Sequence, residues 1–291
     1  MRCKHRHNKC AVALAIIVGA LPLLFIASAH AQESAEAEKV TESRWLDDYH
    51  TPIGFTYGAS AKVQTTYLWR GIYCGGLNTQ LDANVGYGGL YFDMWWHLGA
   101  TDWSFTKFLP EVDLTLGFAR WGLDVSLVYI YNFNCPFFDF GAYTDKGNRL
   151  DLLVRYTVSS KLPLSVFWTT RIAAADHYIN AAGDTVRAYS SYAEISYTHH
   201  FPYDISLYGA FGITPWRSCY TGFKRGFAVQ NIELRLRKDW SVHERIGLML
   251  QGTLGINPSA LAADKTTAEW HPKSPDNQSI NANIGIGIYL K

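Results

Sequence analysis

The stretch Leu77-Asn78-Thr79-Gln80-Leu81-Asp82-Ala83-Asn84-Val85-Gly86-Tyr87 decides the reading of the chain. Its odd positions are apolar or weakly polar (Leu77, Thr79, Leu81, Ala83, Val85, Tyr87), and its even positions are Asn78, Gln80, Asp82, Asn84 and Gly86. Side chains on an extended strand point alternately to two faces, so this period of two makes one face fit for hydrocarbon and one fit for water. The closing segment repeats the pattern, with Ile280, Ala282, Ile284, Ile286, Ile288 and Leu290 against Asn281, Asn283, Gly285, Gly287 and Tyr289.

Working outward, twelve such segments emerge at 55–70, 77–87, 90–101, 111–119, 123–134, 148–158, 162–172, 189–198, 204–214, 227–237, 245–256 and 279–290. Segments of this length cross a bilayer at a tilt, which takes about 9–11 residues, whereas the strands of a soluble sandwich need only about 5–6. The links between them tend to alternate: 71–76, 102–110, 135–147, 173–188, 215–226 and 257–278 are mostly longer than links such as Gly88-Gly89 and Arg120-Trp121-Gly122. Long loops at one end and short turns at the other are a feature of outer-membrane barrels, and an even strand count brings both termini to the same side. The expected fold is a closed 12-stranded antiparallel transmembrane β-barrel over 55–291, all-β and of outer-membrane type.

Cost decides which face meets lipid. An Arg or Lys held against hydrocarbon at the bilayer midplane costs about 2–4 kcal/mol, so Glu233, Arg235 and Arg237 must point into the lumen. The same rule turns Lys62, Arg70, Asp82, Asp93, Glu111, Asp113, Asp124, Arg149, Asp151, Arg155, Arg171, Glu194 and Arg245 inward, with His97 beside Asp93 on one face of its strand. Eight bases then meet eight acids, which points to pairing across the lumen and to no overall ion preference. Inward Tyr91, Trp95, Phe167, Tyr192, Tyr208 and Tyr289 favour constriction, while inward Gly58, Gly86, Gly99, Gly117, Gly247 and Gly255 favour space. Tyr67, Trp69, Tyr131 and Tyr189 are expected at one membrane interface and Tyr57, Tyr87, Tyr156 and Tyr197 at the other.

The start of the chain reads as an export signal over 1–31: Arg2, Lys4, Arg6 and Lys9, then the apolar run Ala11–Ile26, then Ala29-His30-Ala31 as a small-x-small cleavage site. Residues 32–54 read as an acidic periplasmic tail. The remaining 260 residues carry 22 Lys+Arg against 25 Asp+Glu, which excludes a nucleic-acid binder on charge grounds. Cys74, Cys135 and Cys219 allow one disulfide with a thiol over, or three thiols; no spacing suggests a metal site, and no cofactor motif is present.

Tyr67-Leu68-Trp69-Arg70-Gly71 and Gly212-Ile213-Thr214-Pro215-Trp216 supply Y-x-W-R-G and G-I-T-P-W elements. In these the chain resembles a family of Gram-negative outer-membrane barrels common in Bacteroides-type bacteria. The resemblance implies the barrel and its location in the outer membrane, among lipid and delivered by the barrel assembly machinery; it brings no activity. The terminal Tyr289-Leu290-Lys291 departs from the aromatic last residue usual in strands that this machinery recognises.

Three functions follow. The first is a narrow passive, porin-like channel for small hydrophilic solutes, with Arg149, Arg155, Arg171, Arg235 and Arg237 facing carboxylates along a polar ladder. The second is a binding or structural barrel whose loops hold a partner or glycan on Trp103, Phe105 and Phe108, on Phe137, Phe138, Phe140 and Tyr143, or on Trp216, Tyr220 and Phe223. The third is a hydrolase at the rim, for which His97 or the pair Asp176-His177 are the candidates; no G-x-S-x-G supports it, and a non-enzyme is expected.

Overall fold

The computed structural model describes residues 54–100, 108–133, 135–140, 148–174, 176–223, 226–261 and 279–290. The expected export signal and nearly all of the acidic tail lie outside the described residues, as do Trp103, Phe105, Tyr143 and most of 257–278.

Among the described residues, twelve strands close into one antiparallel barrel. In chain order these are β1 (Phe55–Gln64), β4 (Asn78–Tyr87), β5 (Leu90–Ala100), β6 (Phe108–Arg120), β7 (Leu123–Tyr131) and β8 (Arg149–Thr157). They continue as β9 (Leu164–Ala173), β12 (Ser191–Phe201), β13 (Ile205–Thr214), β14 (Ala228–His243), β15 (Ile246–Ile256) and β16 (Ile280–Leu290). Closure is made by β1 with β16, in the register Ser60 to Tyr289 through Gln64 to Gly285. Two short hairpins stand apart from this sheet: β2 (Tyr67–Trp69) with β3 (Ile72–Gly75), and β10 (His177–Ile179) with β11 (Thr185–Arg187).

Closure solves a backbone problem. No strand of the barrel is left with an unpaired edge, and the carbonyls and amides of the wall find partners without water, the condition for crossing hydrocarbon. The two-faced pattern survives in three dimensions: along β16 exposed and buried residues alternate without a break, with Ile284 61% and Ile286 58% exposed. On β14 Leu234 and Leu236 point outward while Glu233, Arg235 and Arg237 point inward. An outer surface this apolar is a liability in water and a fit in lipid.

The alternation of links is stricter than the sequence suggests, because β12 runs on to Phe201 and β14 to His243, leaving 202–204 and 244–245 as short turns. Three expectations are corrected. The first strand does not reach 70: it ends at Gln64, and 67–75 forms the separate β2–β3 hairpin. Tyr67 and Trp69 therefore belong to that hairpin and not to a girdle, whereas Tyr57, Tyr87, Tyr156 and Tyr197 are exposed on the outer face as expected. Arg245 lies exposed in the turn between β14 and β15 and does not line the lumen.

Gly117 and Gly247, two of the glycines expected to leave space, lie under aromatic side chains instead, as does Gly212. A Cβ on Gly117 would sit 2.4 Å from the Tyr91 ring, on Gly247 2.3 Å from Tyr289, and on Gly212 2.0 Å from the Tyr192 hydroxyl. Each ring covers the glycine of a neighbouring strand. At these three positions bulk and space are one device, an aromatic side chain over a bare stretch of backbone.

Candidate functional site

Among the described residues, charge collects in the lumen, and one segment crosses it. After Gln64 the chain leaves the wall, and Arg70 and Gly71 turn it back with φ of +51° and +77°. Positive φ at both central residues is what a two-residue hairpin turn of the strand-matching type requires. Gly71 is obligatory for contact as well, since a Cβ there would lie 2.2 Å from the Gln230 carbonyl oxygen. Gln230 is the extra residue of a bulge in β14, where Gly212 faces Asn231 and Ile213 faces Val229.

The hairpin packs on inward residues of the barrel and on a loop folded in beside it. Tyr67 packs at a tilt on His97 at 4.4 Å and on Trp95 at 5.6 Å, and its hydroxyl donates to Glu111 at 3.1 Å. These partners belong to β5 and β6. Arg70, at the tip, reaches the wall opposite β1: its Nη1 lies 3.7 Å from Asp151 on β8, and its guanidinium carbon 5.5 Å from the rings of Phe167 on β9 and Tyr192 on β12. It also donates to the hydroxyl of Tyr220, carried by a short 3-10 turn Cys219–Thr221 between β13 and β14.

Ile72, Phe167, Tyr192 and Tyr220 form a buried apolar cluster inside the barrel, flanked by Trp69, Cys74, Leu153 and Cys219. A polar tube thus holds a small hydrophobic core at one level. Burial pushes the Cys74 thiol up to about 12, with Glu111 adding to the effect. All three described thiols, Cys74, Cys135 and Cys219, are free.

Buried polar groups tie the folded-in loops together. Asp151, 1% exposed, is shared by Arg70 and by its strand neighbour Arg171, whose Nε lies 3.5 Å away. Arg171 donates in turn to the Cys219 sulfur at 3.1 Å. The Cys219 amide donates to Ser190 Oγ at 2.7 Å, and Ser190 donates its own amide and hydroxyl to Asp176 at 2.7 and 2.5 Å. The described loop residues at this end are therefore clamped by charge-assisted hydrogen bonds, roughly twice as strong as neutral ones.

Lys62, Asp82, Asp93, His97, Glu111, Asp113, Asp124, Arg149, Arg155, Arg171, Glu194, Glu233, Arg235 and Arg237 take the strand positions alternate to the exposed apolar residues. Several of these charges pair along their own strand. Glu233 pairs with Arg235 at 2.7 Å and Arg237 with Asp239 at 2.8 Å, each two residues apart on one strand, where same-face neighbours meet most cheaply. Glu194 accepts from the hydroxyls of Tyr192 and Tyr208 at 2.5 and 2.7 Å. One ion pair that reaches across the lumen is that of Arg70 with Asp151, because the hairpin carries its cation there.

The charges are also sorted by wall. Strands β4 to β7 present Asp82, Asp93, Glu111, Asp113 and Asp124, and the inward arginines lie on β8, β9 and β14. Equal totals conceal this separation.

The remaining candidates disperse. His97, 2% exposed, stacks on Trp95 and packs at a tilt against Tyr67. Asp176 is spent on Ser190, and His177 pairs with Arg187 across the β10–β11 hairpin. Phe137, Phe138 and Phe140 gather on Tyr129, on the outer face of β7, at 5.0, 5.0 and 5.9 Å. The third aromatic group splits: Tyr220 is buried in the lumen, Trp216 packs on the outward Trp168 at 5.5 Å, and Phe223 stacks on Tyr178 at 6.1 Å.

No protein-family model and no curated protein matches the sequence. Among solved structures, the chain is similar to the NanC porin at 12% identity and a TM-score of 0.46, over 81% of this chain and 100% of that one. An outer membrane channel from Pseudomonas putida F1 follows at 10% identity and 0.42, over 87% and 99%. Salmonella typhi OmpF, in complex with daunomycin, is 8% identical at 0.34, over 81% and 97%. In build the described chain is a closed antiparallel barrel, apolar outside and charged within.

Proposed function

We propose that this barrel is a narrow passive channel for small hydrophilic solutes in a bacterial outer membrane, with its long loops outside, both termini in the periplasm and the β2–β3 hairpin as its constriction. The observation that carries the reading is the concentration of charge on the inner faces, as at Glu233, Arg235 and Arg237 of β14, beneath an outer surface rich in Ile, Leu, Val and Phe. A polar, charged lining has no use in a solid core, where unpaired charge is penalised, but suits an aqueous path. Lipid and the barrel assembly machinery are its expected partners. Transport without catalysis is the role that fits, since His97 is held by stacking and Asp176 by a serine that it clamps.

Planar-bilayer recording tests this. The intact protein is expected to give small discrete conductance steps, and replacing 68–74 by a Gly-Ser link to raise the step size severalfold. Silence from both proteins over a range of salt and voltage would end the channel reading. Current from the shortened protein alone would favour the second reading, a plugged barrel that binds through its loops; that reading draws on the exposed Phe137 and Phe138.

A further inference from the structure

The segment from Val63 to Leu81 carries a single charged residue, Arg70, at the tip of a hairpin that shares no strand pairing with the barrel. A lone two-stranded hairpin is marginal in water, so its side-chain contacts decide where this one rests. Yet the groups around the Arg70 guanidinium belong almost entirely to others. Phe167 and Tyr192 come from strands β9 and β12, Tyr220 from the 3-10 turn and Asp151 from β8, with Trp69 alone contributed by the hairpin.

Three rings of the barrel and its loop converge on one carbon at 5.5, 5.5 and 5.6 Å, and a carboxylate and a phenol oxygen complete the enclosure. Aromatic faces directed at one point, with a carboxylate behind them, are the chemistry that recognises a desolvated organic cation. A planar, weakly hydrated guanidinium suits such a place better than a compact ammonium, since it stacks on rings and forks onto oxygens.

We propose that Asp151, Phe167, Tyr192 and Tyr220 form a binding site for guanidinium-type cations, and that Arg70 occupies it as a tethered internal ligand. Arg171, fixed by Cys219 and by the other Asp151 oxygen, stays in place when Arg70 leaves and keeps the carboxylate from being stranded. The site therefore exchanges one monocation for another. Tethering supplies an effective concentration on the order of millimolar, so a free guanidinium competes poorly with Arg70 and well once Arg70 is gone. The site goes beyond the channel reading, and its test uses no current.

Methylguanidinium chloride, titrated by calorimetry into the full purified barrel in detergent, is the probe. Arg70→Ala is expected to bind it saturably at one per barrel and about tenfold or more tighter than the intact protein. Asp151→Asn in the same background is expected to abolish binding, and neither methylurea nor methylammonium to replace the probe. In the intact protein, high methylguanidinium is expected to speed maleimide labelling of Cys74, read on its peptide by mass, because displacing Arg70 frees the hairpin; sodium chloride at equal ionic strength is not. If Arg70→Ala fails to fold, Arg70→Gln takes its place. A folded Arg70 variant that does not bind the probe, or binding indifferent to Asp151→Asn, would overturn the assignment.

Discussion

At the scale of the residue, small side chains in the wall have meaning only through a neighbour. Gly117 is bare because the Tyr91 ring covers it, and the Tyr91 hydroxyl donates to Asp124 at 2.8 Å. Gly117→Ala forces the ring off its place and is expected to destabilise the barrel by about 1–3 kcal/mol, as overpacking does. Adding Tyr91→Leu removes the clash, so the double variant should lose less than the two singles together. Reversible urea unfolding in lipid vesicles measures it, and strict additivity would show that ring and glycine do not meet. Asp151 is the second decisive residue. Removing it as Asp151→Ala leaves Arg70 and Arg171 without their shared carboxylate, and a loss of about 3–5 kcal/mol is expected in the same assay.

Elements are where the two faces can be weighed against each other. Leu236 and Arg235 are neighbours on β14, one against lipid and one in the lumen beside Glu233. Leu236→Arg places a charge in hydrocarbon and is expected to cost up to about 2–4 kcal/mol, according to its depth. Arg235→Gln gives up one partly solvated ion pair and is expected to cost less than about 1 kcal/mol. The reverse order of these two losses would mean that the strand faces the other way. The β2–β3 hairpin makes its own claim at this scale. It rests on side-chain contacts, so undocking it by Arg70→Ala is expected to release the Cys74 thiol from the burial that holds it at about 12, and to raise its maleimide labelling at pH 8 by about tenfold or more.

The whole molecule depends on closure. Strand β16 pairs with both β15 and β1, and removing it exposes two unpaired edges that hydrocarbon cannot satisfy. A chain truncated after residue 279 is therefore expected not to reach the compact form that migrates faster on gels until heated. Folding of that truncation to such a form would contradict the ring. Around the ring β4 to β7 form one arc with five carboxylates, and the arginines begin at its edge, where Arg155 of β8 faces Asp124 of β7.

Much of this architecture is legible in the chain itself, because a period of two needs no partner to be seen. The alternation in 77–87 and 280–290, and the expense of placing Glu233, Arg235 and Arg237 in lipid, determine strand, face and barrel from local chemistry alone. The inward placement of Arg70 is legible by the same rule, but its address is not. Polar Thr65-Thr66 and the glycines at 71, 75 and 76 mark a break and a turn, and could have signalled the hairpin. That it folds into the lumen and delivers a guanidinium to β8, β9 and β12 depends on which strands stand opposite one another, a relation set only when the ring closes. Tertiary structure alone likewise decided that Tyr91 fills the space at Gly117 and that Arg245 escapes into a turn. A sequence states what each face must avoid; only the closed barrel states what each face meets.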